Sequence, residues 1–526
     1  MNAVTVLLII IGALAVTAAA PRGRGFQINL LIVVLAGAVS FVPGMPRLEL
    51  DSELILGVVV PPLLYAAALD FSFISFARNL RPIVALGIGL VIVTTLTTGL
   101  LASWLLPSLT LGAAFVLAAV ISPPDTVTAI THGREMGLPR RVIAILTGES
   151  LVNDATALAI FATTTAAVTG GHTLISSPPL LFLYGAAVGA LVGLAIGATS
   201  GWIRARLHEP SLATAVNILV PFTAYLVAEH LEGSGVLAVV FAALAVSSSS
   251  NYPGTGRRRA LSYRIRLQER QVWPLINTLL EAFVFAYIGL QLRFLLDDLA
   301  DTGESLPATL LGALLLLLTV IAVRVAWAYI TFGKWSLERR LEQRHYAKND
   351  PAGAWPARRR TAQTRSSGPY LQPAKPLGPK ETLLVAWTGM RGIITLAAAA
   401  GIPLTTHTGA DFPGRATIQF IAFTITVGTL LIQGLTLPAL ARTLSIDTSA
   451  EEAEEAAQLA EAELLARAAA LPQPSPDPRV GFDAQRAALV KAVAAGDIDD
   501  DAARTVLHRI DLHQAALEAS AVQDHD

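Results

Sequence analysis

Residues 118–129 of the chain read AAVISPPDTVTA. They lie in an apolar stretch, about 110–131, that is long enough to cross a bilayer as a helix. Pro123 and Pro124 cannot continue an α-helix, because proline lacks the N–H donor and its ring clashes with the preceding turn. In lipid, the carbonyls freed by this break must find other partners. The stretch therefore predicts a broken membrane helix with a carboxylate, Asp125, beside the break.

The composition describes a protein whose main solvent is lipid. Of 526 residues, 53% are hydrophobic and 15% are charged, and the mean hydropathy is +0.57. Soluble domains carry roughly 25% charged residues, so a soluble enzyme, a disordered chain and a fibrous protein are excluded. The net charge of -1 gives no indication of a nucleic-acid partner. The absence of cysteine excludes disulfides, thiolate catalysis and cysteine-ligated metals.

About thirteen apolar stretches have the length of a transmembrane helix, roughly 20 residues. They lie at about 3–20, 27–43, 53–69, 82–106, 110–131, 142–169, 179–203, 213–230, 234–248, 272–295, 306–332, 381–402 and 416–441. The chain is thus predicted to be an all-α polytopic membrane protein. The first stretch lacks a basic leader and a small-residue cleavage site, which indicates a retained helix rather than a signal peptide.

The distribution of Lys and Arg predicts the orientation. Loops that follow the odd-numbered stretches hold 26 basic residues, whereas the other loops hold three. Basic loops stay on the cytoplasmic side. We therefore predict a multi-pass protein of the cell membrane with its N-terminus outside, its C-terminus in the cytoplasm and an odd number of spans.

Two polar segments lie outside the spans. Residues 334–380 are rich in Arg, Gln, Pro and Gly and lack an apolar period, which is typical of a disordered cytoplasmic loop. Residues 449–526 form a separate tail with a helix to about residue 471, a Pro-rich linker, and a helical pair at about 485–521 that turns at Gly496. A helical tail on the membrane surface or at a dimer contact is favoured over a regulatory domain, and nothing in the tail identifies a partner.

Ionisable residues within the spans are functional candidates, because burying a charge in lipid costs roughly 2.5–3.5 kcal/mol on insertion scales. These residues are Asp125, Glu149, Asp154, Glu281, Arg324 and Arg391. Beside the proline break, Asp125 and the hydroxyls of Ser122 and Thr126 offer oxygen ligands that suit a cation. The alternative is a proline kink in which Asp125 caps the second half of the helix, and both roles can coexist.

Asp154 is the strongest candidate for ion binding. Residues 148–154 read GESLVND, so Ser150 lies one helical turn before Asp154 on the same face, and Asn153 is adjacent. A desolvated carboxylate without a basic neighbour in its own stretch can hold a proton or a metal cation, and the two compete. The alternative is a structural polar cluster between helices.

Residues 387–392 read WTGMRG and predict a second interrupted helix, because glycine allows close approach and unwinding. Paired interrupted helices in corresponding positions indicate a transporter's substrate site, and they suggest an inverted repeat. Arg391 either neutralises a partly exposed site or pairs with Glu149. For Glu149, Glu281 and Arg324, structural ion pairs are favoured over a transport role.

At these residues the chain resembles the monovalent cation/proton antiporter superfamily, in the branch of NhaP-type exchangers and animal sodium/proton exchangers. The resemblance covers about residues 1–445. It is carried by SPPD at 122–125, GESLVND at 148–154, WTGMRG at 387–392 and PPLLY at 61–65.

This resemblance implies a fold with a dimerisation domain and a core domain in which two partly unwound helices cross, here the fifth and twelfth spans. It implies that Asp154 is the essential ion-binding carboxylate, and that Asp125 and Ser150 complete the site. An Asn-Asp pair, here Asn153 with Asp154, goes with electroneutral one-for-one exchange. Glu149 and a helix arginine would form the stabilising ion pair, and the protein would be a homodimer.

Two departures from the family pattern concern the cation ligands. Many relatives carry an acidic residue straight after the Pro-Pro segment of the third span, where this chain has Ala66. Archaeal members read Thr-Asp-Pro in the fifth span, whereas this chain reads Pro124-Asp125-Thr126. A backbone oxygen would therefore come from Pro124 or a neighbour.

The sequence thus predicts a secondary antiporter that exchanges Na⁺ for H⁺ by alternating access, without a cofactor. A K⁺/H⁺ antiporter that uses the same residues is the nearest alternative. An intramembrane aspartyl protease also uses two buried carboxylates, but its Tyr-Asp and Gly-x-Gly-Asp motifs are absent. A passive channel is disfavoured, because a broken midplane helix with a titratable acid suits alternating access.

Overall fold

A computed structural model describes most of the chain. The described residues are 12, 25–45, 47, 54–69, 78–126, 133, 136–170, 178–207, 209–251, 262–349, 377–470 and 478–523. In this part of the chain the regular structure is helical, apart from isolated β-bridges between Asp125 and Met390 and between Thr405 and Asp411. The predicted all-α class is therefore confirmed.

The membrane part is built from fourteen described helices. They are α1 (Gly25–Ser40), α2 (Ile55–Leu69), α3 (Leu80–Leu105), α4 (Leu111–Ile121), α5 (Arg140–Thr169), α6 (Pro178–Arg204), α7 (Pro210–His230), α8 (Gly235–Asn251), α9 (Tyr263–Leu290), α10 (Leu292–Asp301), α11 (Leu306–Asn349), α12 (Pro379–Trp387), α13 (Ile393–Ala400) and α14 (Arg415–Leu444). Seven of the described helices are long and apolar enough to cross a membrane, counting α9 with α10 as one, and others are shorter.

The predicted spans coincide with these helices wherever the chain is described. Each stretch from 27–43 onward contains a helix. The first stretch, 3–20, lies outside the described residues except for Gly12. The number of spans and the retained first helix therefore stay predictions.

The helices fall into two groups according to their packing. The flanking group comprises α1, α2, α6, α7, α8 and α9, and the crossing group comprises α3, α4, α5, α11, α12, α13 and α14. The groups meet where α5 contacts α2, α6 and α8 and where α13 contacts α2 and α9. Every ionisable residue of the predicted site except Glu281 lies in a helix of the crossing group or in an unwound segment that adjoins one.

Glycine allows the tightest contact within the flanking group. A Cβ on Gly193 of α6 would lie 2.2 Å from the carbonyl oxygen of Ala238 in α8, and one on Gly189 would lie 2.4 Å from that of Ser234. The two backbones touch at these positions. Close contact between small residues is the usual way that helices associate in lipid, where no hydrophobic force draws them together.

The loop predicted at 334–380 needs a correction. Helix α11 continues without a break to Asn349, so the first third of that segment is helical. Polar residues with good helix propensity, such as Arg, Glu and Gln, extend the membrane helix into polar surroundings, so polarity alone does not indicate disorder here. Residues 350–376 lie outside the described part.

The tail is a small helical unit. It consists of α15 (Ser449–Ala470), α16 (Pro478–Ala495) and α17 (Asp500–Gln523). Gly496 adopts φ +80° at the turn between α16 and α17, a conformation that glycine takes without strain. The three helices share an apolar core that includes Ala466, Leu489 and Val506.

Candidate ion-binding site

Two interrupted helices cross in the crossing group. Helix α4 ends at Ile121, just before the Pro-Pro pair, and α12 and α13 are separated by residues 388–392. The two unwound segments run antiparallel, and the backbone N–H of Asp125 donates to the carbonyl oxygen of Met390 at 2.5 Å. This pairing satisfies part of the backbone that the breaks expose, as lipid surroundings require.

The glycines of the second break are required by the crossing. A Cβ on Gly392 would lie 1.6 Å from the Asp125 carboxylate, and a Cβ on Gly389 would lie 2.1 Å from Cδ of Arg324. No side chain fits at either position without displacing a charged group. Glycine is therefore needed at positions 389 and 392 because a side chain would not fit there, and also because the unwound backbone requires its conformational freedom.

Arg391 binds the carbonyl oxygens that the breaks set free. Its guanidinium donates from Nε to Ile121 at 2.9 Å, from Nη2 to Ser122 at 3.2 Å, and from Nη1 to Gly389 at 2.5 Å. Its own backbone N–H donates to Oγ1 of Thr429 at 2.9 Å. Of the two predicted alternatives for Arg391, the ion pair with Glu149 is not formed.

The buried ion pair of Glu149 is made with Arg324 instead. Nη1 of Arg324 lies 2.5 Å from Oε1 of Glu149 and Nη2 lies 3.2 Å from Oε2, and both side chains are 1% exposed or less. Arg324 also donates to the carbonyl oxygens of Val385 and Ala386 at the end of α12. A fully bonded pair of this kind is what makes two buried charges tolerable.

Helix α5 is fixed to the first unwound segment by two hydrogen bonds. Nδ2 of Asn153 donates to the carbonyl oxygen of Pro124 at 2.8 Å, and the Thr126 hydroxyl donates to that of Leu146 at 3.1 Å. The Pro124 carbonyl therefore already has a partner. Oδ1 of Asn153 is buried and has no hydrogen-bond partner among the described residues, so it remains available as an acceptor.

Asp154 lies beside these contacts with its carboxylate uncommitted. It is 8% exposed, as is Ser150 one turn earlier. Within the described ranges, no hydrogen bond or ion pair holds the Asp154 carboxylate. The charges that act on it are those of Asp125 and Glu149, both negative. Of the buried acids in the crossing group, Glu149 is neutralised by arginine and Asp154 is not.

Glu281 approaches the same region from the flanking group. It lies in α9, where Nδ2 of Asn277 donates to its Oε1 at 3.0 Å, and Asp125 is the charge that acts on it. No Lys or Arg in the described part of the chain pairs with it, so the predicted ion pair of Glu281 is not seen there. Ala66 in α2 is 7% exposed and brings no oxygen ligand.

The arrangement suits a single small cation. The carboxylates of Asp125 and Asp154, the Ser150 hydroxyl and Oδ1 of Asn153 offer the oxygen ligands that hard alkali cations prefer. In the described residues, no group of three or more Asp, Glu or His side chains gathers as a metal site. Asp125 and Asp154 remain the acidic candidates for a monovalent ion.

Several contacts of this site could not be read from the sequence. The roles of the Met390 and Leu146 carbonyls and of Thr429 depend on the crossing geometry, and backbone oxygens leave no residue-type signal. The two glycines next to Arg391 did carry a signal, since glycine in an apolar helix indicates close approach. What they approach is visible only in the structure.

Similarities to known proteins agree with this geometry. The family described as "Sodium/hydrogen exchanger, transmembrane" matches residues 3–443. An uncharacterized Na(+)/H(+) exchanger of Mycobacterium tuberculosis is 32% identical over 446 residues, which are 83% of this chain and 74% of that protein. The sodium, potassium, lithium and rubidium/H(+) antiporter of Bacillus subtilis is 28% identical over 451 residues, which are 84% of this chain and 62% of that protein.

The fold is similar to a solved structure. The sodium proton antiporter MjNhaP1 from Methanocaldococcus jannaschii at pH 8 superposes with a TM-score of 0.57 and 15% sequence identity. The match covers 84% of this chain and 97% of that one. At this identity the likeness speaks for the fold alone, and it confirms the predicted antiporter architecture.

Proposed function

Because the chain belongs to the sodium/hydrogen exchanger family, whose members are secondary transporters, we propose that it exchanges Na⁺ for H⁺ by alternating access, with both ions competing for Asp154. Membership of this family also means that the chain is not an enzyme, and it excludes the aspartyl protease considered from the sequence. The chain is a membrane protein.

The observation that supports Asp154 as the shared site is that no basic side chain of the described residues pairs with it. A bare carboxylate with so little access to water is unfavourable. It is stabilised when a proton neutralises it or when a dehydrated cation binds it, and one occupant excludes the other. Glu149 cannot play this part, because Arg324 holds both of its oxygens.

The remaining ligands come from the immediate surroundings of Asp154. We assign Asp125, the Ser150 hydroxyl and Oδ1 of Asn153 to the cation. The sequence predicts Pro124 and Thr126 as ligands too, and their hydrogen bonds to α5 support a positioning role for both. Glu281 adds negative charge on the side of the flanking group.

The exchange stoichiometry depends on the number of carboxylates that alternate between a proton and Na⁺. If only Asp154 alternates between a proton and Na⁺, one charge moves in each direction and the exchange is electroneutral. Asn153 beside it cannot carry a second proton at any physiological pH. The exchange is therefore expected to be insensitive to membrane potential.

Potassium is the second candidate cation. The Bacillus subtilis relative is named as an antiporter of sodium, potassium, lithium and rubidium, and Ala66 leaves the site without the acidic ligand that many relatives have at that place. Proton flux driven by each alkali cation in turn, across pH, separates the two. A homodimer in the plasma membrane, with the N-terminus outside and the tail in the cytoplasm, completes the proposal.

The decisive experiment is Asp154→Asn in proteoliposomes. Asparagine keeps the size but cannot hold a proton or neutralise a cation, so sodium-driven pH change should fall to the background of empty liposomes. Asp297→Asn is the matched control, because that carboxylate is 62% exposed and, among the described residues, pairs only with Arg293 in the same helix. Normal exchange by a correctly folded Asp154→Asn protein would overturn the proposal.

A second measurement tests the competition itself. Raising the proton concentration should raise the apparent KM for Na⁺ while leaving the maximal rate at saturating Na⁺ largely unchanged, because both ions bind the same carboxylate. A KM that does not move over the acidic range would mean separate binding sites.

A further inference from the structure

Helix α3 is not a regular α-helix throughout its length. Residues Ala85–Leu90 form a π-turn, with α-helix before and after it. A π-turn interrupts the regular ladder of backbone hydrogen bonds, and turns of this kind occur frequently at functional sites. Part of the turn is deeply buried, since Leu86 and Leu90 are 1% exposed or less. Backbone groups that the interruption sets free therefore need partners from outside α3.

An indole of α11 binds the backbone at the start of this π-turn. Nε1 of Trp327 donates to the carbonyl oxygen of Ala85 at 2.9 Å. The ring also packs on the turn, because a Cβ on Gly89 would lie 2.9 Å from Cζ2 of Trp327. A ring of this size can lie so close to the helix only because residue 89 has no side chain. Trp327 thus holds the π-turn by a hydrogen bond and by packing.

The π-turn also packs against α5, at the two residues that precede Asp154. A Cβ on Gly87 would lie 2.7 Å from Cβ of Val152 and 3.3 Å from the backbone nitrogen of Asn153. The backbones of α3 and α5 are therefore in close contact here. Asn153 is also the residue whose amide joins α5 to the first unwound segment. A displacement of α5 at this contact would move Asn153 and Asp154 relative to that segment.

Helices α5 and α11 are joined directly as well. Arg324 lies one helical turn from Trp327 on α11, and its partner Glu149 lies one turn from Val152 on α5. An ion pair between two side chains limits the distance between the helices but leaves some freedom of rotation. A contact at backbone distance restricts the rotation of α5 about its axis, because the Cβ of Val152 has no room to turn.

We propose that Trp327 is a positioning residue for cation binding. Through the Ala85 carbonyl it holds the α3 π-turn against α5, and this contact sets the rotation of α5 that directs Asn153 and Asp154 toward the cation. Trp327 is not itself a ligand, because its only polar atom is a donor that Ala85 already accepts. The inference deepens the proposed function and rests on it.

The first test is Trp327→Phe in proteoliposomes. Phenylalanine keeps an aromatic ring next to Gly89 but cannot donate to Ala85. The KM for Na⁺ should rise several-fold, while the maximal rate at saturating Na⁺, per folded protein, should change little. Trp104→Phe is the matched control, because it makes the same substitution on α3, where the ring is 77% exposed. A merely structural role of Trp327 would instead lower the amount of active protein at an unchanged KM.

A second pair of variants tests the contact between α3 and α5 itself. Gly87→Ala places a methyl group against Val152, which should displace α5 and raise the KM for Na⁺. Combining it with Val152→Gly removes the side chain that the methyl group meets most closely, so much of the affinity should return. Glycine within a helix lowers its stability. Recovery of the KM in the double variant would therefore come from restored spacing and not from a more stable fold.

Binding of Na⁺ can also be measured without transport. A cation that binds the folded chain raises its melting temperature in detergent once its concentration exceeds Kd. In Trp327→Phe and in Gly87→Ala, stabilisation should begin at a several-fold higher Na⁺ concentration than in the unmodified chain. In Trp104→Phe it should begin at the same concentration. A rise in KM together with this shift supports the positioning role.

Failure of the positioning role and failure of the proposed function give different results. If the unmodified chain exchanges and binds Na⁺, and Trp327→Phe does so with the same KM, the function stands and the role of Trp327 falls. A raised KM in Gly87→Ala that Val152→Gly does not restore overturns the spacing argument. If the unmodified chain neither exchanges nor binds any alkali cation, the proposed function falls, and the positioning role falls with it.

Discussion

Glu149 and Asp154 lie five residues apart on one helix, and their surroundings differ completely. Arg324 binds both oxygens of Glu149, and α12 carbonyls complete the arginine's bonds. Asp154 has no such partner in the described chain and keeps slight access to solvent. The difference shows that burial of an acid alone does not indicate transport. Of the two acids, the one without a counter-ion in the described chain is the one that we propose exchanges its occupant.

The largest expected effect comes from breaking the ion pair between Glu149 and Arg324. Arg324→Ala should destabilise the protein by about 3–5 kcal/mol, because it leaves Glu149 buried and uncompensated. Thermal unfolding in detergent measures the loss. Arg324→Gln combined with Glu149→Gln should recover much of the stability and keep exchange, since it removes both charges together. If the double variant folds but is inactive, Glu149 has a role in transport after all.

The next effect concerns the space at the crossing. Gly392→Ala should reduce exchange to near background, because its Cβ would coincide with the Asp125 carboxylate and force the two segments apart. Gly333→Ala is the control, with nothing near its Cβ. Exchange assays and the amount of folded protein measure the two outcomes. Full activity of Gly392→Ala would mean that Asp125 is not held at the crossing.

A smaller effect concerns the number of cation ligands near Asp154. Ala66→Glu restores the acidic residue that many relatives have after the Pro-Pro segment, and it should lower the KM for Na⁺ several-fold by adding a ligand. Ala66→Gln separates charge from size. Cation affinity measured across the alkali series would show no change if position 66 does not reach the ion.

The smallest effect is the acid sensitivity of the docking of the tail, that is, of its contact with the start of α9 through Glu518. Although burial acts in the opposite direction, hydrogen bonds from Tyr263, Gln514 and Arg264 lower the pKa of Glu518 to about 2. A group whose pKa falls on docking contributes stability that is complete above its ordinary pKa near 4.5 and is lost as pH falls through about 2. Docking, measured by deuterium uptake in α9, should therefore stay constant down to about pH 4.5 and weaken below it. Glu518→Gln should flatten this dependence.

The sequence predicted the elements of this protein better than their contacts. Pro123-Pro124 and the glycines beside Arg391 indicated both helix breaks, because these residue types have strong backbone consequences. The choice of Arg324 rather than Arg391 as the partner of Glu149 could not be predicted. It depends on the distance between α5 and α11, which are separated by more than a hundred residues in the chain.

Polarity alone did not show what two segments of the chain contact. The charged end of α11 is helical, and the acidic tail makes specific contacts with helix ends. In each case the sequence shows that the residues avoid lipid, but it does not show what they bind instead. Partners distant along the chain decide that, and a single sequence carries little trace of them.

The hydrogen bonds of Arg391 have a consequence for the state of the transporter in which no ion is bound. Its guanidinium occupies the place where two broken helices point their carbonyl ends toward each other. Repulsion between those ends is thus cancelled by a charge that never leaves the protein. The crossing of the two helices can therefore keep its structure when neither ion is bound.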